Sequence, residues 1–325
     1  MARNNLIGLV FAALVAAVVA FVLVGKESKN EGSLGASGKM FRDLVKQANE
    51  ISSIVVDSGD QKVTLNRLGG VWVVKEKSNY PARLDLVKRT IIDVAELELT
   101  EKKTNDPIRH KRLGLDDPSI EGTGAVGLDF LDGEGTALAS LFLGAKDRSG
   151  RNRRYVRHPN NNQTWLANED TEVGTQPLDW IDKNLMRIGH DRIRKIVFTH
   201  DDGERIELQR LDRKQFKYTL KDIPEGMQMV SPGIVNATGG VLSFLKFMDV
   251  RPLSELDSES RPATVTRLQT WDGLLVTISI YPDGEEVWSH IDVSFDESLF
   301  VPVAEPTNSD EDLAEDGSVQ SLRDE

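Results

Sequence analysis

From Leu6 to Val24 run 19 residues without one charged or strongly polar side chain, and no other feature restricts the chain so tightly. As a helix rising about 1.5 Å per residue, the run spans about 28 Å, close to the roughly 30 Å hydrocarbon core of a bilayer. A core helix of a soluble domain shows a polar stripe, which this run lacks. A cleaved signal peptide has a shorter apolar region and ends at a small-x-small site, whereas here the run closes with Phe21, Val22, Leu23, Val24, Gly25 and Lys26. The sequence therefore predicts one retained transmembrane helix.

Flanking charge does not settle orientation, because Arg3 lies on one side and Lys26 and Lys29 on the other. A short tail before a single span is the layout of a signal anchor, which places the body on the outer, periplasmic face of a bacterial inner membrane. The absence of cysteine excludes a disulfide framework, cysteine-built zinc sites, thiol redox chemistry and a lipobox anchor.

Lys26 to Gly38 are rich in Ser, Gly, Asn and charge and read as a flexible tether. After Val303 the hydrophobic pattern stops. Eight acidic side chains there face only Arg323, which accounts for seven of the chain's 12 net negative charges, and the segment is expected to be disordered. Without it the body is only mildly acidic, so binding nucleic acid through a broadly basic surface is not expected. The organisation expected is an anchor over 1–25, a tether and entry segment over 26–50, a first module over 51–175, a linking helix and second module over 176–303, and an acidic tail over 304–325.

The body carries an internal echo. Ile54-Val55-Val56 followed by Lys62 to Leu68 is matched by Ile196-Val197-Phe198 followed by Arg205 to Leu211. Both alternate apolar and polar residues around a turn, at Ser58-Gly59-Asp60 and at Asp201-Asp202-Gly203, and each precedes a third strand, carrying Trp72 and Phe216 respectively. Leu84, Val87, Ile91, Val94 and Leu97, and later Val235, Leu242, Leu245 and Met248, fall at helical spacing. Hairpin patterns follow, around Asp132-Gly133-Glu134-Gly135 and Pro282-Asp283-Gly284-Glu285. The expected fold class is α+β: two related antiparallel-sheet modules, each strands-helix-strands, joined by a helix near Gln176 to Arg187, behind the transmembrane helix.

The N-terminal anchor, the Val63-Thr64-Leu65-Asn66-Arg67 and Val71-Trp72-Val73-Val74 hairpin, Leu113-Gly114-Leu115-Asp116-Asp117-Pro118, Arg154-Tyr155-Val156-Arg157 and Asp179-Trp180-Ile181-Asp182 together resemble the bacterial domain of unknown function 4340 family. The likeness covers Ile51 to Ile223. It implies a single-pass envelope protein encoded near gliding-motility-type ABC transporter permeases and their auxiliary proteins, and it supplies no catalytic residue to carry over.

Catalytic and cofactor motifs fare poorly. Gly122-Thr123-Gly124-Ala125-Val126-Gly127 has dinucleotide-fingerprint spacing but leads into a strand rather than a helix. Gly35 to Lys39 lacks the first glycine and the Ser or Thr of a phosphate loop, and a calcium loop opening at Asp312 fails at Ala314 and Arg323. The five histidines are scattered, Ser149 sits in a polar turn, and Asp116-Asp117 and Asp201-Asp202 read as turn residues. No catalytic, cofactor or metal residue is assigned.

Two interaction candidates remain. Arg148, Arg151, Arg153, Arg154 and Arg157, with Lys146, form a basic stretch opposed only by Asp147 that is a candidate contact for anionic lipid or an acidic partner; a solvated hairpin is the plainer reading. Gly8, Ala12, Ala16 and Ala20 line one face of the membrane run, where another helix can approach closely. The expected function is a non-enzymatic, membrane-anchored accessory or scaffold of a bacterial envelope or ABC-type transport system, with ABC permease or auxiliary subunits as partners. The alternatives are a periplasmic binding module for a lipid, glycan or peptide, and an envelope hydrolase.

Overall fold

The computed structural model describes residues 38–301 apart from 121, 150, 222, 224–230, 242–243 and 257–260. The membrane run with its small-residue face, almost all of the tether and the acidic tail lie outside the described residues. No helix among the described residues is long and apolar enough to cross a membrane. The chain divides into two units, one ending at Ile181 and the other beginning at Asp182. Both are built on antiparallel sheets with few helices.

Unit 1 contains β1 (Gly38–Lys39), α1 (Leu44–Gln47), β2 (Ser53–Asp57), β3 (Lys62–Leu68), β4 (Val71–Val74), β5 (Tyr80–Pro81) and α2 (Leu84–Glu96), then β6 (Glu98–Lys102), α3 (His110–Leu113), β7 (Val126–Leu131), β8 (Ala137–Lys146), β9 (Arg154–Arg157) and β10 (Thr164–Ala167). Its strands form one ten-stranded sheet in the order β1-β6-β10-β9-β8-β7-β2-β3-β4-β5. Period-two alternation sends Ile54 and Val56 of β2 and Val63 and Leu65 of β3 inward, all fully buried. The β2–β3 turn needs Gly59: its φ is +84°, and a Cβ there would stand 2.5 Å from the Pro118 carbonyl oxygen. Helix α2 buries Val87, Ile91 and Val94, as their spacing predicts, and Asp85 sits in its first turn, where the helix dipole favours an acid.

Unit 2 contains β11 (Asn184–Arg187), β12 (Ile193–His200), β13 (Arg205–Gln209), β14 (Thr219–Lys221), α4 (Pro232–Val241), β15 (Phe244–Lys246), β16 (Thr264–Thr270), β17 (Leu274–Asp283) and β18 (Glu286–Phe295). Six strands make a sheet in the order β14-β13-β12-β16-β17-β18, and β11 pairs with β15. Its core gathers Ile193, Ile196, Leu208, Leu268, Val276 and Ile278 from the sheet and Val235 from α4.

The sheet order of unit 2 matches the run β4-β3-β2-β7-β8-β9 of unit 1, strand for strand. Local bonds match as well. The Arg67 amide donates to the Ser52 carbonyl and the Arg210 amide to the Arg194 carbonyl, both at 2.8 Å. The two guanidinium groups then reach the Asn49 and Asp191 carbonyls. At the next hairpin the Thr136 amide donates to Asp132 and the Leu274 amide to Thr270, each four residues back.

Three expectations fail. The linking helix over Gln176 to Arg187 is a single 3-10 turn, Pro177–Trp180, followed by β11. That turn stays with unit 1 because Trp180 is buried there and accepts a bond from the Arg83 amide. Phe216 lies outside any strand and is 75% exposed, whereas Trp72 on β4 is buried. The second helical run keeps Val235 on α4, Pro232–Val241, while Leu242 lies outside the described residues, Leu245 lies on β15 and Met248 is exposed.

Candidate functional site

Part of the basic stretch, Arg153, Arg154 and Arg157, folds inward. Strand β9 alternates, so Arg154 and Arg157 leave the strand on its two faces. Arg157 is 6% exposed and donates from Nε to the Leu115 carbonyl at 2.7 Å and from Nη1 to the Pro159 carbonyl at 2.8 Å, with its guanidinium 4.6 Å from the Phe142 ring centre. Arg154 donates to the Gly144 and Thr171 carbonyls at 2.7 Å each and lies 3.5 Å from Asp170 Oδ1. Arg153 grips Asp147 through two donors. Ser149, Asp147's other donor, and then Arg153 hold the Asp147 carboxyl below its usual range. Arg148 and Arg151 remain exposed on the loop.

Asp170, the carboxylate beside Arg154, lines a cleft of about 360 Å³ in unit 1. Helix α2 contributes Leu86, Arg89, Thr90 and Asp93, the loop after β8 contributes Asn152, and the segment after β10 contributes Asp170, Glu172, Gly174, Asp179 and Trp180. Asp170 is the fixed point. Its side chain is 3% exposed, and Lys146 Nζ approaches its Oδ2 at 2.5 Å and Glu172 at 2.7 Å. Hydrogen bonds to Asp170 and then Glu172 raise the Lys146 pKa, so the ammonium stays charged throughout the physiological range. Asp179 is occupied at the Pro177–Trp180 turn, accepting from the Gln176 amide at 3.0 Å, and the Trp180 indole donates to the Gly174 carbonyl at 3.0 Å. Asp93 differs: burial first, then the charge of Glu169, push its carboxyl above the usual aspartate range against the pull of Arg89. A half-buried carboxyl beside an arginine offers a hydrogen-bond pair to an amine or hydroxyl group.

Unit 2 holds a second ionic cluster. Glu207 on β13 is 3% exposed and is bracketed by Lys195 and Arg205 at 2.7 Å each and by Lys221 at 3.8 Å. Burial opposes its ionisation, but the three cations overcome it and hold the carboxyl below the usual glutamate range.

The weighed motifs fall into structural roles. Asp117 accepts from the Ser119 amide and Asp202 from the Glu204 amide, closing turns. Gly122 to Gly127 leads into β7. His110 is buried against the Asn162 carbonyl, His158 packs edge-on to Phe41, His190 lies beside Phe216 and Tyr218, His200 bonds Thr264, and His290 lies 3.4 Å from Asp292. No cluster able to hold a metal ion occurs among the described residues. Sequence reasoning missed Asp93 on the helix and Asp170 and Glu172 in the short acidic run Glu169-Asp170-Thr171-Glu172. The local signals were the Arg89–Asp93 spacing of one helical turn and that acidic run.

The sheet order and the helix-capped cleft define a sheet-rich α+β protein. A family model described as a domain of unknown function (DUF4340) matches residues 72–237, about half of the chain, and the protein belongs to that family. The match begins in β4, contains the whole cleft and ends in α4. No curated protein and no solved structure matches the chain.

Proposed function

We propose that this protein is a membrane-anchored, non-enzymatic accessory or scaffold of a bacterial envelope or ABC-type transport system, with its two sheet units outside the inner membrane. The observation that carries the reading is the 19-residue apolar run followed by a polar tether, which confines whatever follows to within a few nanometres of the bilayer and raises its effective concentration for neighbouring membrane proteins. Weak contacts then suffice for recognition.

The cleft supports the non-catalytic part of the reading. Asp170 is tied to two cations, Glu172 to one and Asp179 to a turn amide, which is the arrangement of a fixed scaffold rather than of groups that exchange protons. The matched strand order and matched arginine-to-carbonyl bonds support a duplicated module. The second reading, a periplasmic binding module, draws on Asp93 and Arg89 facing the cleft and fits an amine- or hydroxyl-bearing ligand such as a glycan or peptide terminus.

Purification of the intact chain in mild detergent tests the first reading. Stable recovery of ABC-type permease or auxiliary subunits, identified by mass spectrometry, is the expected result. A chain that purifies alone but binds a glycan or peptide, with binding lost in Asp93→Ala, would replace it with the second.

A further inference from the structure

Strand β18 is the last strand of the unit 2 sheet. It pairs with β17 over ten consecutive residues without a register shift, and no strand lies on its other side among the described residues. Protein sheets blunt such edges with short strands, bulges, proline or charged side chains, lysine above all, and of these β18 carries Glu286 and Asp292. From Glu286 to Phe295 there is no lysine, arginine or proline. The row opposite Val276 and Ile278, which are core residues, continues onto β18 as Ile291 and Val293, with Phe295 and Val287 at its ends. Yet Val293 is 62% exposed, Phe295 65% and Val287 70%. Among the described residues, the apolar face of the sheet therefore runs on past its own cover.

Unit 1 shows what such an edge accepts. The strand at the same place in its order, β9, is followed by β10, paired antiparallel, and Val156, Trp165 and Leu166 are buried there. Unit 2 lacks any counterpart of β10 among its described residues. Resting on the accessory reading above, we propose that β18 receives an added strand from a partner polypeptide, an extended segment with aliphatic residues at alternate positions and lysine or arginine at its ends. The charge of the site selects that occupant. Acids stand at both ends of the strand, Asp283, Glu285 and Glu286 at one and Asp296 and Glu297 at the other. The cation beside them, Arg251, is already paired with Asp283 at 2.9 Å and stacked on Trp288. A second copy of β18 would set acid against acid across the new ladder, which disfavours self-pairing. Main-chain bonds supply affinity in strand addition, and the alternate side chains supply selectivity.

The test is fluorescence anisotropy of the labelled peptide Lys-Thr-Val-Thr-Val-Thr-Val-Thr-Lys with the full chain in detergent micelles. Saturable binding is expected, weakened by salt, about tenfold weaker when glutamate replaces both lysines, and lost when proline replaces the central valine. Val293→Lys and Val287→Lys, both at exposed positions, should each abolish binding with unchanged thermal melting. Absence of saturable binding, equal binding of the proline peptide, or binding unaffected in both variants overturns the proposal. So does concentration-dependent dimerisation that Val293→Lys removes, since a second copy would then be the occupant. Permease recovery in mild detergent separates the two levels: recovery that survives Val293→Lys overturns strand addition but leaves the accessory reading standing, whereas no recovery by the unsubstituted chain removes the accessory reading itself.

Discussion

Asp170→Asn is the sharpest perturbation of the cleft, because the exchange keeps the shape of the side chain and removes its charge. The magnitude follows from the two arms of the cluster. Lys146 is 58% exposed, so its pair with Asp170 is screened by solvent and contributes little. Arg154 is 16% exposed beside a carboxylate that is 3% exposed, and stripping the counter-ion from a buried guanidinium costs about 3–5 kcal/mol when nothing else holds it. The Gly144 and Thr171 carbonyls do hold it, and the 3.5 Å separation is long for an ion pair in contact, so the expected loss is at the low end, about 3 kcal/mol. Lys146→Met should cost far less than Asp170→Asn. Urea titration of the full chain in mild detergent, followed by hydrogen exchange of the β8–β10 amides, measures both. Pairing Asp170→Asn with Arg154→Met should recover most of the loss, because an uncharged pair replaces the stranded cation. If Asp170→Asn unfolds within about 0.5 kcal/mol of the parent, a surface-like value, the carboxylate is not architectural and the reasoning from burial fails.

Glu207 sets the acid response of unit 2. Its folded pKa lies below the ordinary glutamate value of 4.5, so its stabilisation is present above that value and is lost as pH falls through the folded pKa; Glu207→Gln should flatten the acid limb of unit 2 unfolding, read as the urea midpoint against pH. Trp72→Ala, at 7% exposure, should destabilise by about 3–5 kcal/mol in thermal or urea unfolding, whereas Phe216→Ala, 75% exposed, should change stability by less than about 1 kcal/mol. Replacing Gly8, Ala12 and Ala16 by Leu keeps the membrane run apolar but blocks close helix approach, so membrane insertion should persist while recovery of permease subunits falls. Arg148→Glu with Arg151→Glu, reversing the exposed charges of the basic loop, should weaken that recovery most at low salt if the loop meets an acidic partner.

How far the sequence spoke depended on the range of the signal. Period-two alternation around Ser58-Gly59-Asp60 and Asp201-Asp202-Gly203 identified β2–β3 and β12–β13 because each hairpin is closed by its own residues. The Leu84 to Leu97 spacing identified α2 for the same reason. Phe216 was misread as a strand residue because an aromatic between Gln215 and Lys217 shows no difference between a packed and an exposed ring; only tertiary contacts place it beside His190. The arginines of β9 looked like a surface because charge density along a chain does not register the Asp170 and carbonyl partners that fold back onto them from elsewhere in the sequence. The cleft was illegible for that reason too, its acids arriving from two stretches far apart in the sequence, Asp93 from the helix and Asp170, Glu172 and Asp179 from the segment after β10.

The central claim is that Leu6 to Val24 alone holds this body at the membrane, and fractionation with and without residues 1–38 tests it most directly. The full chain should remain in the membrane pellet through an alkaline wash, and the shortened chain should appear folded in the soluble fraction, since the apolar run of spanning length has been removed. A shortened chain that stays in the pellet through the same wash would contradict the single-anchor account.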